Sequence, residues 1–428
     1  MSRSLEDHLN TVLHLAHQVF SLRSLTQKRP VADALGLRIA QDLHASRAIP
    51  PFSNSAMDGV LVRTADLKAP FPVELPLVAD TPAGSGAHPV PPAAAVRIMT
   101  GAPIAEDDIE SLQVIPMEDT NLRIGDANLP ARVKIHRADP HRRHIRRRAE
   151  DISPGDLLAS RHAILDAGTL AAAISAGVSH VSVFSTPRLA IISSGDELTP
   201  TGPEPSSALI PDSNGPMIEA LIHTAFPQVE VRRQRISDSL PALIRLLDEL
   251  SSWADIIITT GGISAGSFDV VKELLTSPAV PQAQETWCGQ VALQPGKPQG
   301  LGIWDKSLVL AFPGNPVAAY VSALLFLFPA LSVLHGEAIK PHATQPETNG
   351  QRYFPARATR DFPVASSKPL AVPVVLTWTS SGVLATPFTT SGKGSHRVGS
   401  LSGVNGIALL QPDERVADGE SLTVIAAQ

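Results

Sequence analysis

The sequence predicts a multidomain α/β plus β protein, and three observations support this fold class. The chain has 428 residues, and domains of roughly 100–200 residues are usual, so two to four domains are expected. From Arg188 onward, continuous apolar strands alternate with helical segments, which is typical of a parallel sheet covered on both faces. Residues 51–147 and 338–428 instead contain short apolar runs separated by Pro, Gly and Ser, which predicts β-rich domains.

Composition and charge exclude several classes of protein. Hydrophobic residues make up 43% of the chain and charged residues 18%, as in an ordinary globular protein, so sizeable cores are expected. The net charge of −6 argues against a general nucleic-acid binder, because a phosphate backbone demands a basic surface. The single cysteine, Cys288, excludes an intramolecular disulfide and a thiolate metal cage, and it fits a reducing, cytoplasmic location.

Two segments are candidates for a membrane or export signal. The N-terminal stretch Met1–His8 is interrupted too often by charges to be the core of a signal peptide. The most apolar stretch, Val317–Leu334, contains Pro329 and two serines and follows a turn motif. We expect it to be a buried helix, with membrane insertion the alternative on length alone. The sequence therefore predicts no membrane partner.

The N-terminal third of the chain contains two different patterns. The first fifty residues are expected to be largely helical, because apolar residues recur there at helical spacing: Leu5, Leu9, Val12, Leu13, Ala16 and Phe20. Pro50 and Pro51 end that pattern. We predict a discontinuous helical linking domain made of residues 1–50 and about 148–183, with a β-rich domain, residues 51–147, inserted into it.

The second half of the chain predicts a three-layer α/β domain over residues 184–337 and a C-terminal β-barrel over residues 338–428. Strands are expected at residues 188–193, 229–236, 255–260 and 307–312, of which 255–260 is expected to be buried. Helices are expected to begin at Asn214, near Asp238 and near Asp269, with Asn214 able to cap the first of them. Ligands of such sheets bind at the carboxyl ends of the strands, where the glycine-rich and acidic loops of this chain lie.

A glycine-rich loop follows the strand at 255–260 and contains Gly261, Gly262, Ser264 and Gly266. Glycine lets the backbone turn tightly and approach a ligand, and the helix that follows favours an anion at its start. The loop matches neither a Walker loop nor the dinucleotide fingerprint. A turn with no ligand is the alternative interpretation.

Four carboxylates follow strands of the same predicted sheet: Asp196, Glu197, Asp212 and Asp269. If they converge on a phosphate ligand they repel it, unless a hard cation such as Mg²⁺ lies between them. The alternative is that each acid only caps a turn or a helix.

Two further loops carry polar groups held in place by proline and glycine. Lys297, in the run Gln294–Pro298, is a fixed point charge suited to a phosphate or another oxyanion. In the run Pro313–Pro316, the prolines fix a turn before the long apolar helix, and Asn315 is expected to cap that helix.

Seven motifs together resemble one known family. In chain order they are Ser-Ala-Met-Asp-Gly from Ser55, Arg-Ile-Met-Thr-Gly-Ala-Pro from Arg97, Gly-Asp-Glu-Leu from Gly195, Asp-Ser-Asn from Asp212, Thr-Gly-Gly-x-Ser-x-Gly from Thr260, Pro-Gly-Lys-Pro from Pro295 and Pro-Gly-Asn-Pro from Pro313. They resemble the molybdopterin molybdenumtransferases, the family that includes the gephyrin E domain. Gly394-Ser395-His396 and Asn405-Gly406 match as well.

The resemblance implies an activity and an assembly. Members of the family insert molybdate into adenylylated molybdopterin, release AMP, and complete the molybdenum cofactor. They are homodimers of four-domain subunits, whose active cleft lies between the α/β domain of one subunit and the β-rich domain of the other. A molybdopterin adenylyltransferase and apo-molybdoenzymes are the implied partners, and no nucleic acid is expected.

The resemblance also implies roles for individual residues. The expected catalytic residues are Asp58, Thr100, Asp151, Glu197, Asp269 and Lys297. The expected ligands of Mg²⁺ are Glu197, Asp212 and Asp269. The residues expected to bind the pterin substrate or its phosphates are Gly195, Asp196, Ser213, Asn214, Gly261, Gly262, Ser264, Gly266, Pro313, Gly314, Asn315, Arg146 and Ser395.

Several positions depart from the family pattern. Gln294 replaces a lysine where an oxyanion should enter, Ser267 replaces an acid after the glycine loop, and Ala149 replaces the glycine of a Gly-Glu-Asp motif. These departures leave open a second hypothesis, a non-catalytic paralogue that carries molybdopterin or finished cofactor, or acts as a scaffold. The basic run Arg132–Arg148 lacks aromatic partners for stacking on bases and is interpreted as a solvated face or the rim of an anionic cleft.

Overall fold

The computed structural model describes residues 2–23, 25–68, 70–123, 129–199, 209–263, 269–278, 280–337, 339, 353–388, 394 and 396–427. The chain divides into two compact units. The β-rich unit comprises Lys28–Val183, and the α/β unit comprises Met1–Gln27 and Phe184–Gln428. The finer division into four domains stays a prediction.

The α-helices of the described residues are α1 (Leu5–Leu22), α2 (Ala167–Ser175), α3 (Asn214–Ala225), α4 (Leu240–Ser251), α5 (Val270–Thr276), α6 (Pro316–Ser322) and α7 (Phe328–Leu334). A π-helical turn, Ala323–Leu327, joins α6 to α7 in one continuous run.

The strands that begin and fill the β-rich unit are β1 (Thr26–Pro30), β2 (Leu43–His44), β3 (Asn54–Ser55), β4 (Gly59–Arg63), β5 (Val73–Thr81), β6 (Ala95–Ile98), β7 (Leu112–Pro116), β8 (Arg132–Ile135), β9 (Ile145–Arg146), β10 (Leu157–Ala159) and β11 (His180–Phe184). A five-stranded sheet has the order β7-β4-β6-β5-β8. Three pairs, β1 with β11, β2 with β10 and β3 with β9, complete the pairing.

The strands of the α/β unit are β12 (Arg188–Ser194), β13 (Leu198–Thr199), β14 (Ile210–Pro211), β15 (Glu230–Ile236), β16 (Ile256–Thr260), β17 (Ala283–Gln290), β18 (Pro298–Trp304), β19 (Ser307–Phe312), β20 (Tyr353–Ala358), β21 (Leu370–Thr379), β22 (Gly382–Pro387), β23 (Gly406–Leu410) and β24 (Ser421–Ala426). The last five form a closed barrel in the order β20-β22-β21-β23-β24, which confirms the predicted C-terminal barrel.

The main sheet of the α/β unit has the order β15-β12-β16-β19-β18-β17. Its first four strands are parallel, as predicted, and β18 and β17 extend the sheet in the antiparallel sense. Alternate residues of the central strands enter opposite cores. Ile191 and Ile258 pack with α1, α3, α6 and α7, whereas Ile192 and Ile257 pack with α4 and α5. Burial on both faces explains why these strands are continuous apolar runs.

The order of the strands creates a switch point. From β12 the chain passes through α3 to β15, and from β15 it passes through α4 to β16 on the other side of β12. Helices α3 and α4 therefore lie on opposite faces, and a crevice opens beyond the carboxyl ends of β12 and β16. Such crevices are where open α/β sheets bind ligands.

The N-terminal helix is shorter than expected. Helix α1 ends at Leu22, because Arg23 is extended with ψ of 137° and the chain then enters β1. The expectation of helix through residue 50 is therefore wrong from residue 23 onward. The buried face of α1 matches the predicted apolar spacing and packs in the core of the α/β unit.

The apolar run Pro316–Leu334 is long enough and apolar enough to cross a membrane, and every residue of its most apolar window is buried inside the protein. It packs in the same core as α1 and α3. The prediction of a buried core helix is confirmed.

Candidate functional site

A cleft of about 890 Å³ lies at the carboxyl ends of β12, β16 and β19. It occupies the switch point of the sheet, where the chain order predicts a ligand site. Its lining includes the following residues among those described: Ser194, Gly195, Glu197, Leu198, Ile210, Pro211, Asp212, Ser213, Asn214, Asp238, Thr260, Gly261, Gly262, Ile263, Asp269, Pro298, Pro313, Gly314, Asn315, Pro316, His396 and Val398.

The turn after β12 brings a glycine and a carboxylate together. Gly195 has φ of +152°, and a Cβ atom there would lie 2.5 Å from Oε2 of Glu197. The carboxylate of Glu197 thus lies over the bare Cα of Gly195, at the mouth of the cleft. Any larger residue at 195 would displace the Glu197 side chain.

Two more glycine turns approach each other across the floor of the cleft. Gly261 has φ of +89°, and a Cβ there would lie 2.6 Å from the carbonyl oxygen of Ser194. A Cβ on Gly314 would lie 3.5 Å from the Cα of Gly261. The backbones of three strand ends therefore meet with no side chain between them, which the missing side chains of Gly261 and Gly314 permit.

Asp212 is a buried carboxylate with fixed partners. Its Oδ2 accepts a hydrogen bond from the hydroxyl of Ser193 at 2.7 Å, and its Oδ1 accepts one from the backbone N–H of Gly215 at 3.1 Å. The second bond satisfies a free donor in the first turn of α3, so Asp212 acts as the cap of that helix.

The predicted caps are corrected by these contacts. Asn214 does not cap α3; it is the first residue of the helix, and its Nδ2 donates to the carbonyl oxygen of Gly314 at 2.7 Å. The Asn214 side chain therefore ties two loops of the cleft together. The side chain of Asn315 makes no capping bond at the start of α6.

Asp238 is a cleft residue that the sequence motifs did not indicate. Its Oδ1 accepts a hydrogen bond from the hydroxyl of Ser194 at 2.8 Å. Its backbone N–H donates to Oδ1 of Asp196 at 3.2 Å. The carboxylate of Asp196 is thereby used in holding the turn, and Asp196 does not line the cleft. Asp238 follows β15, so the rule that ligands bind at strand ends could have found it.

The ionisable groups of the described cleft lining are four carboxylates, Glu197, Asp212, Asp238 and Asp269, with His396. Within the described ranges, no three His, Cys, Asp or Glu side chains lie close enough to form a ready metal site. Mg²⁺ commonly takes one or two carboxylates and completes its shell with water and substrate phosphate oxygens. Hard carboxylate oxygens on separate loops fit that mode of binding, and they do not fit an all-protein cage.

A second pocket, of about 440 Å³, adjoins the cleft and is here called the lysine pocket. The two cavities share Pro298, Pro313 and Asn315. Its described lining includes Lys297 and Lys368 and no acidic residue. Lys297 thus lies beside the cleft, in a site of opposite charge.

The loop 294–298 that carries Lys297 is paired with the start of the barrel. The backbone N–H of Gln294 donates to the carbonyl oxygen of Pro369 at 3.0 Å, and that of Ala371 donates to Gln294 at 2.8 Å. This pairing brings Lys368, next to Pro369, to the pocket that Lys297 lines. No sequence motif indicated Lys368, because its place depends on contact between distant segments.

In the β-rich unit, two of the sequence motifs lie side by side. Oδ1 of Asp58 accepts hydrogen bonds from the backbone N–H and the hydroxyl of Thr100, at 2.6 and 2.8 Å. These two bonds hold the pKa of Asp58 below its usual range. The predicted pair Asp58 and Thr100 is therefore brought together, with the carboxylate held ionised.

Arg146 and Asp151 lie in the same unit. Arg146 is exposed and pairs through its backbone with Asn54, in the strand that precedes Asp58. Asp151 is exposed, and its backbone N–H donates to the carbonyl oxygen of Ile49. Ala149 has φ of +60°, a left-handed conformation that favours glycine, which explains why the related motif carries glycine there.

Four of the residues named from the sequence lie outside the described residues: Ser264, Gly266, Ser267 and Ser395. Of the described residues predicted to come from the α/β unit, all but Asp196 and Lys297 line the cleft, and Lys297 lines the adjoining pocket.

Two family models match the chain. One, described as the MoeA N-terminal region (domain I and II), matches residues 3–177. The other, described as a probable molybdopterin binding domain, matches residues 190–333. The second range contains the carboxyl end of β12 and all of β16 and β19, and the carboxyl ends of these three strands form the cleft.

Curated relatives and solved structures agree with these matches. Molybdopterin molybdenumtransferase 2 of Mycobacterium tuberculosis is 32% identical over 365 residues, which cover 82% of this chain and 86% of that protein. Molybdopterin molybdenumtransferase of Staphylococcus epidermidis is 30% identical over 311 residues, covering 71% and 70%.

Two structures of the molybdopterin biosynthesis MoeA protein from Pyrococcus horikoshii have TM-scores of 0.75 and 0.72, at 24% and 22% identity. They cover 97% and 100% of this chain and 98% and 100% of their own, and they show the shared fold. With the sequence matches, which extend over both units, they lead to one conclusion: the chain belongs to the molybdopterin molybdenumtransferases, a family of transferase enzymes of molybdenum cofactor biosynthesis.

Proposed function

We propose that this protein inserts molybdate into adenylylated molybdopterin and releases AMP. The observation that carries the proposal is the junction of two cavities of opposite character. An acidic, glycine-floored cleft at the switch point adjoins a pocket with two lysines and no described acid. A phosphorylated pterin in the cleft and an oxyanion in the pocket are then held side by side, as a reaction between them requires.

The floor of the cleft suits the phosphates of the pterin substrate. The turns at Gly195, Gly261 and Gly314 let three loops pack closely at the carboxyl ends of the strands, because no side chain projects from their Cα atoms. Helix α3 begins at Asn214 in the lining, and the start of a helix favours an anion. Asn214 keeps the turn at Gly314 in register with that helix start.

Four carboxylates around a phosphate need a cation to offset their repulsion, so the proposal includes Mg²⁺. One or two of the predicted carboxylates Glu197, Asp212 and Asp269 would hold it, with Asp238 as an additional candidate from the structure, and phosphate oxygens and water would complete its shell. When bound, the ion neutralises negative charge on the phosphates and on the departing AMP. Ser193 and the N–H of Gly215 fix the orientation of the Asp212 carboxylate in advance.

Lys297 and Lys368 are proposed to attract and hold molybdate, because a dianion is favoured where two lysines line one pocket with no acid in its described lining. The sulfur ligands of molybdenum belong to the dithiolene of the substrate. The chain therefore needs no cysteine of its own for the metal, and the burial that raises the pKa of Cys288 disfavours its thiolate.

Asp58, Thr100, Arg146 and Asp151 are proposed to complete the site from the β-rich unit of a second subunit in a homodimer. A patch of apolar side chains supports association, since Leu35, Leu157, Ile164 and Ile174 are each about half exposed. They lie on segments that contact one another, because α2 packs against β10 and against residues 31–33, and Gly36 bonds to Leu165. Contiguous exposed apolar surface commonly marks an interface.

The dimer is tested by light scattering after size-exclusion chromatography. Wild type is expected at twice the chain mass of 45.2 kDa, and Ile174→Asp should shift it toward a monomer by placing a charge in the patch. Val364→Asp, at an equally exposed apolar site of the barrel, is the matched control and should stay dimeric. A monomeric wild type would remove this part of the proposal.

Molybdate-dependent AMP release is the direct test of the activity. Purified protein is given adenylylated molybdopterin, Mg²⁺ and molybdate, and AMP is measured. Wild type is expected to turn over, and Glu197→Ala and Asp58→Ala to lose AMP release while keeping wild-type mass. Normal release by both variants would remove these residues from the site.

The replacement of a family lysine by Gln294 favours a second candidate, a non-catalytic carrier of molybdopterin or of finished cofactor. The same assay separates the two functions, because a carrier binds the substrate without releasing AMP. The proposal also includes a cytoplasmic location. Its two proposed partners, an adenylyltransferase and apo-molybdoenzymes that accept the cofactor, are tested by co-purification from cells grown with molybdate.

A further inference from the structure

A buried amide lies beneath the loop that carries Lys297. The side chain of Gln299 is 0% exposed. Its Nε2 atom donates to the carbonyl oxygen of Gly296 at 2.9 Å and to the hydroxyl oxygen of Ser322 at 2.7 Å. One amide hydrogen therefore holds the loop, and the other holds helix α6.

The direction of these bonds is fixed by their partners. The carbonyl of Gly296 can only accept, and the hydroxyl of Ser322 donates its own hydrogen to the carbonyl oxygen of Ala318 at 2.8 Å. The amide must therefore present its nitrogen to both. Its Oε1 atom has no hydrogen-bond partner among the described residues, which is costly for a buried acceptor. The side chain of Gln299 therefore acts here through the two hydrogen atoms that its Nε2 donates.

The rest of the loop is anchored at its ends. The N–H of Val291 donates to the carbonyl oxygen of Lys297 at 2.7 Å, and the N–H of Gln294 is bonded to Pro369. Between these anchors Gly296 has φ of +107°, and a Cβ there would lie 3.5 Å from Nε2 of Gln299. The amide thus contacts the middle of the loop, at the residue just before Lys297.

We propose that Gln299 is a positioning residue, which holds the loop 294–298 in the shape that presents Lys297 to the lysine pocket. The inference rests on the proposed function, because it takes the lysine pocket as the oxyanion site. Because Gln299 holds the carbonyl of Gly296, the backbone direction at the next residue, Lys297, is fixed. The ammonium group of Lys297 is therefore oriented toward the pocket before the anion binds. Loss of the amide should weaken oxyanion binding more than it slows the chemical step.

Four variants test this role: Gln299→Leu, Ser322→Ala, the double variant, and the control Ser332→Ala. Ser332 is a buried serine of α7 that does not line the lysine pocket. For each full-length protein, molybdate affinity is measured by calorimetry, and kcat, the KM for molybdate and the KM for adenylylated molybdopterin are measured by AMP release. The melting temperature is recorded in parallel.

Gln299→Leu should raise the KM and the calorimetric Kd for molybdate about 10-fold, while kcat and the KM for the pterin change less than about 2-fold. Ser322→Ala should give about a 3-fold rise, and the double variant should be no worse than Gln299→Leu, since both residues act through one chain of hydrogen bonds. Ser332→Ala should match wild type in every constant.

Two results would overturn the role of Gln299 and leave the proposed function intact. The first is wild-type affinity for molybdate in a folded Gln299→Leu variant. The second is a loss of kcat and of affinity for both substrates that follows the loss in melting temperature. If Gln299→Leu does not fold, Ser322→Ala decides, and constants equal to those of Ser332→Ala reject the role. Failure of the proposed function is distinguishable, because the wild type itself would then bind no molybdate and release no AMP.

Discussion

At the scale of single residues, Asp212 shows how one carboxylate serves both fold and site. It caps α3 through Gly215 and accepts the hydroxyl hydrogen of Ser193, yet it also lines the cleft. The sequence predicted that Asp212 would face the ligand, and it left capping open as the alternative. The structure shows a buried acid at a strand end that both caps a helix and lines the cleft.

Gln294 is the residue whose change tests the lysine pocket most simply. Gln294→Lys places a third ammonium group in the lining of that pocket. It should lower the molybdate concentration for half-maximal AMP release by about 3-fold or more, since added positive charge concentrates a dianion. Gln411→Lys, on the barrel and outside both cavities, is the charge-matched control. Equal requirements in the two variants would exclude residue 294 from oxyanion entry.

His8 gives the protein a pH-dependent stability. Burial, and then the charge of Arg3, lowers the pKa of His8 to about 3 from its ordinary 6.5. The folded state therefore keeps His8 neutral, packed against Trp287 and Phe326, whereas the unfolded chain takes up a proton below pH 6.5. Neutral His8 therefore makes its full contribution to the free energy of unfolding above pH 6.5, and this contribution is lost as the pH falls from 6.5 toward 3.

Urea unfolding between pH 7 and pH 4 measures this effect. As the pH is lowered, the free energy of unfolding of wild type should fall more steeply than that of His8→Gln, and the two slopes should differ by up to about 1.4 kcal/mol per pH unit. Parallel curves for the two proteins would show that His8 does not titrate on unfolding.

At the scale of elements, the four parallel strands of the main sheet, β12, β15, β16 and β19, were predicted, and its two antiparallel strands, β17 and β18, were not. Strands β12, β16 and β19 are continuous apolar runs because both of their faces are covered. Strand β17, Ala283–Gln290, is only partly buried, and its polar residues give no apolar period to detect. Strand β1 was predicted as helix, because pairing with β11 is a long-range contact that local spacing does not show.

The end of α1 is fixed to the sheet by a buried ion pair. Nη1 of Arg23 lies 3.0 Å from Oδ1 of Asp255, and Nη2 donates to the carbonyl oxygens of Ser251 and Ala254. Burial raises the pKa of Asp255 in spite of the guanidinium beside it, so desolvation outweighs the attraction. Removing one partner of the Arg23–Asp255 pair should therefore lower the free energy of unfolding by more than the pair contributes to it in net terms.

Arg23→Ala should reduce the free energy of unfolding by about 3 kcal/mol, because the buried carboxylate of Asp255 loses its guanidinium partner and keeps the backbone N–H of Arg188. Arg132→Ala removes an exposed pair with Glu74 and should cost less than about 1 kcal/mol. Chemical denaturation of both variants checks the contrast. A loss for Arg23→Ala no larger than that for Arg132→Ala would contradict the importance given to this contact.

At the scale of the whole molecule, the motifs predicted the cleft better than they predicted its surroundings. Glycine and acidic turns after successive parallel strands must meet at one edge of the sheet, so Gly195, Asp212 and Gly261 could be grouped from the sequence. Lys368 could not, because it depends on how the barrel pairs with the loop at Gln294. That Asp58 and Thr100 complete the cleft of a second subunit is our proposal about assembly.

Mixed dimers test that assembly. If Asp58 acts on the cleft of its partner, a dimer of one Asp58→Ala subunit and one Glu197→Ala subunit contains one intact site and one doubly damaged site. It should regain about half of the wild-type AMP release per dimer, although each parent is inactive. Differently tagged subunits, co-expressed and purified through both tags, provide the sample. Inactive mixed dimers would reject a site shared between subunits.

The central claim is that the cleft beyond β12, β16 and β19 holds adenylylated molybdopterin through its carboxylates and a magnesium ion. Calorimetric titration with that ligand, with and without Mg²⁺, tests it most directly. Wild type should bind one ligand per chain, more tightly with Mg²⁺, and Glu197→Gln should lose about 10-fold or more in affinity only when Mg²⁺ is present. No heat from the wild type, or unchanged Mg²⁺-dependent binding in Glu197→Gln, would contradict the claim.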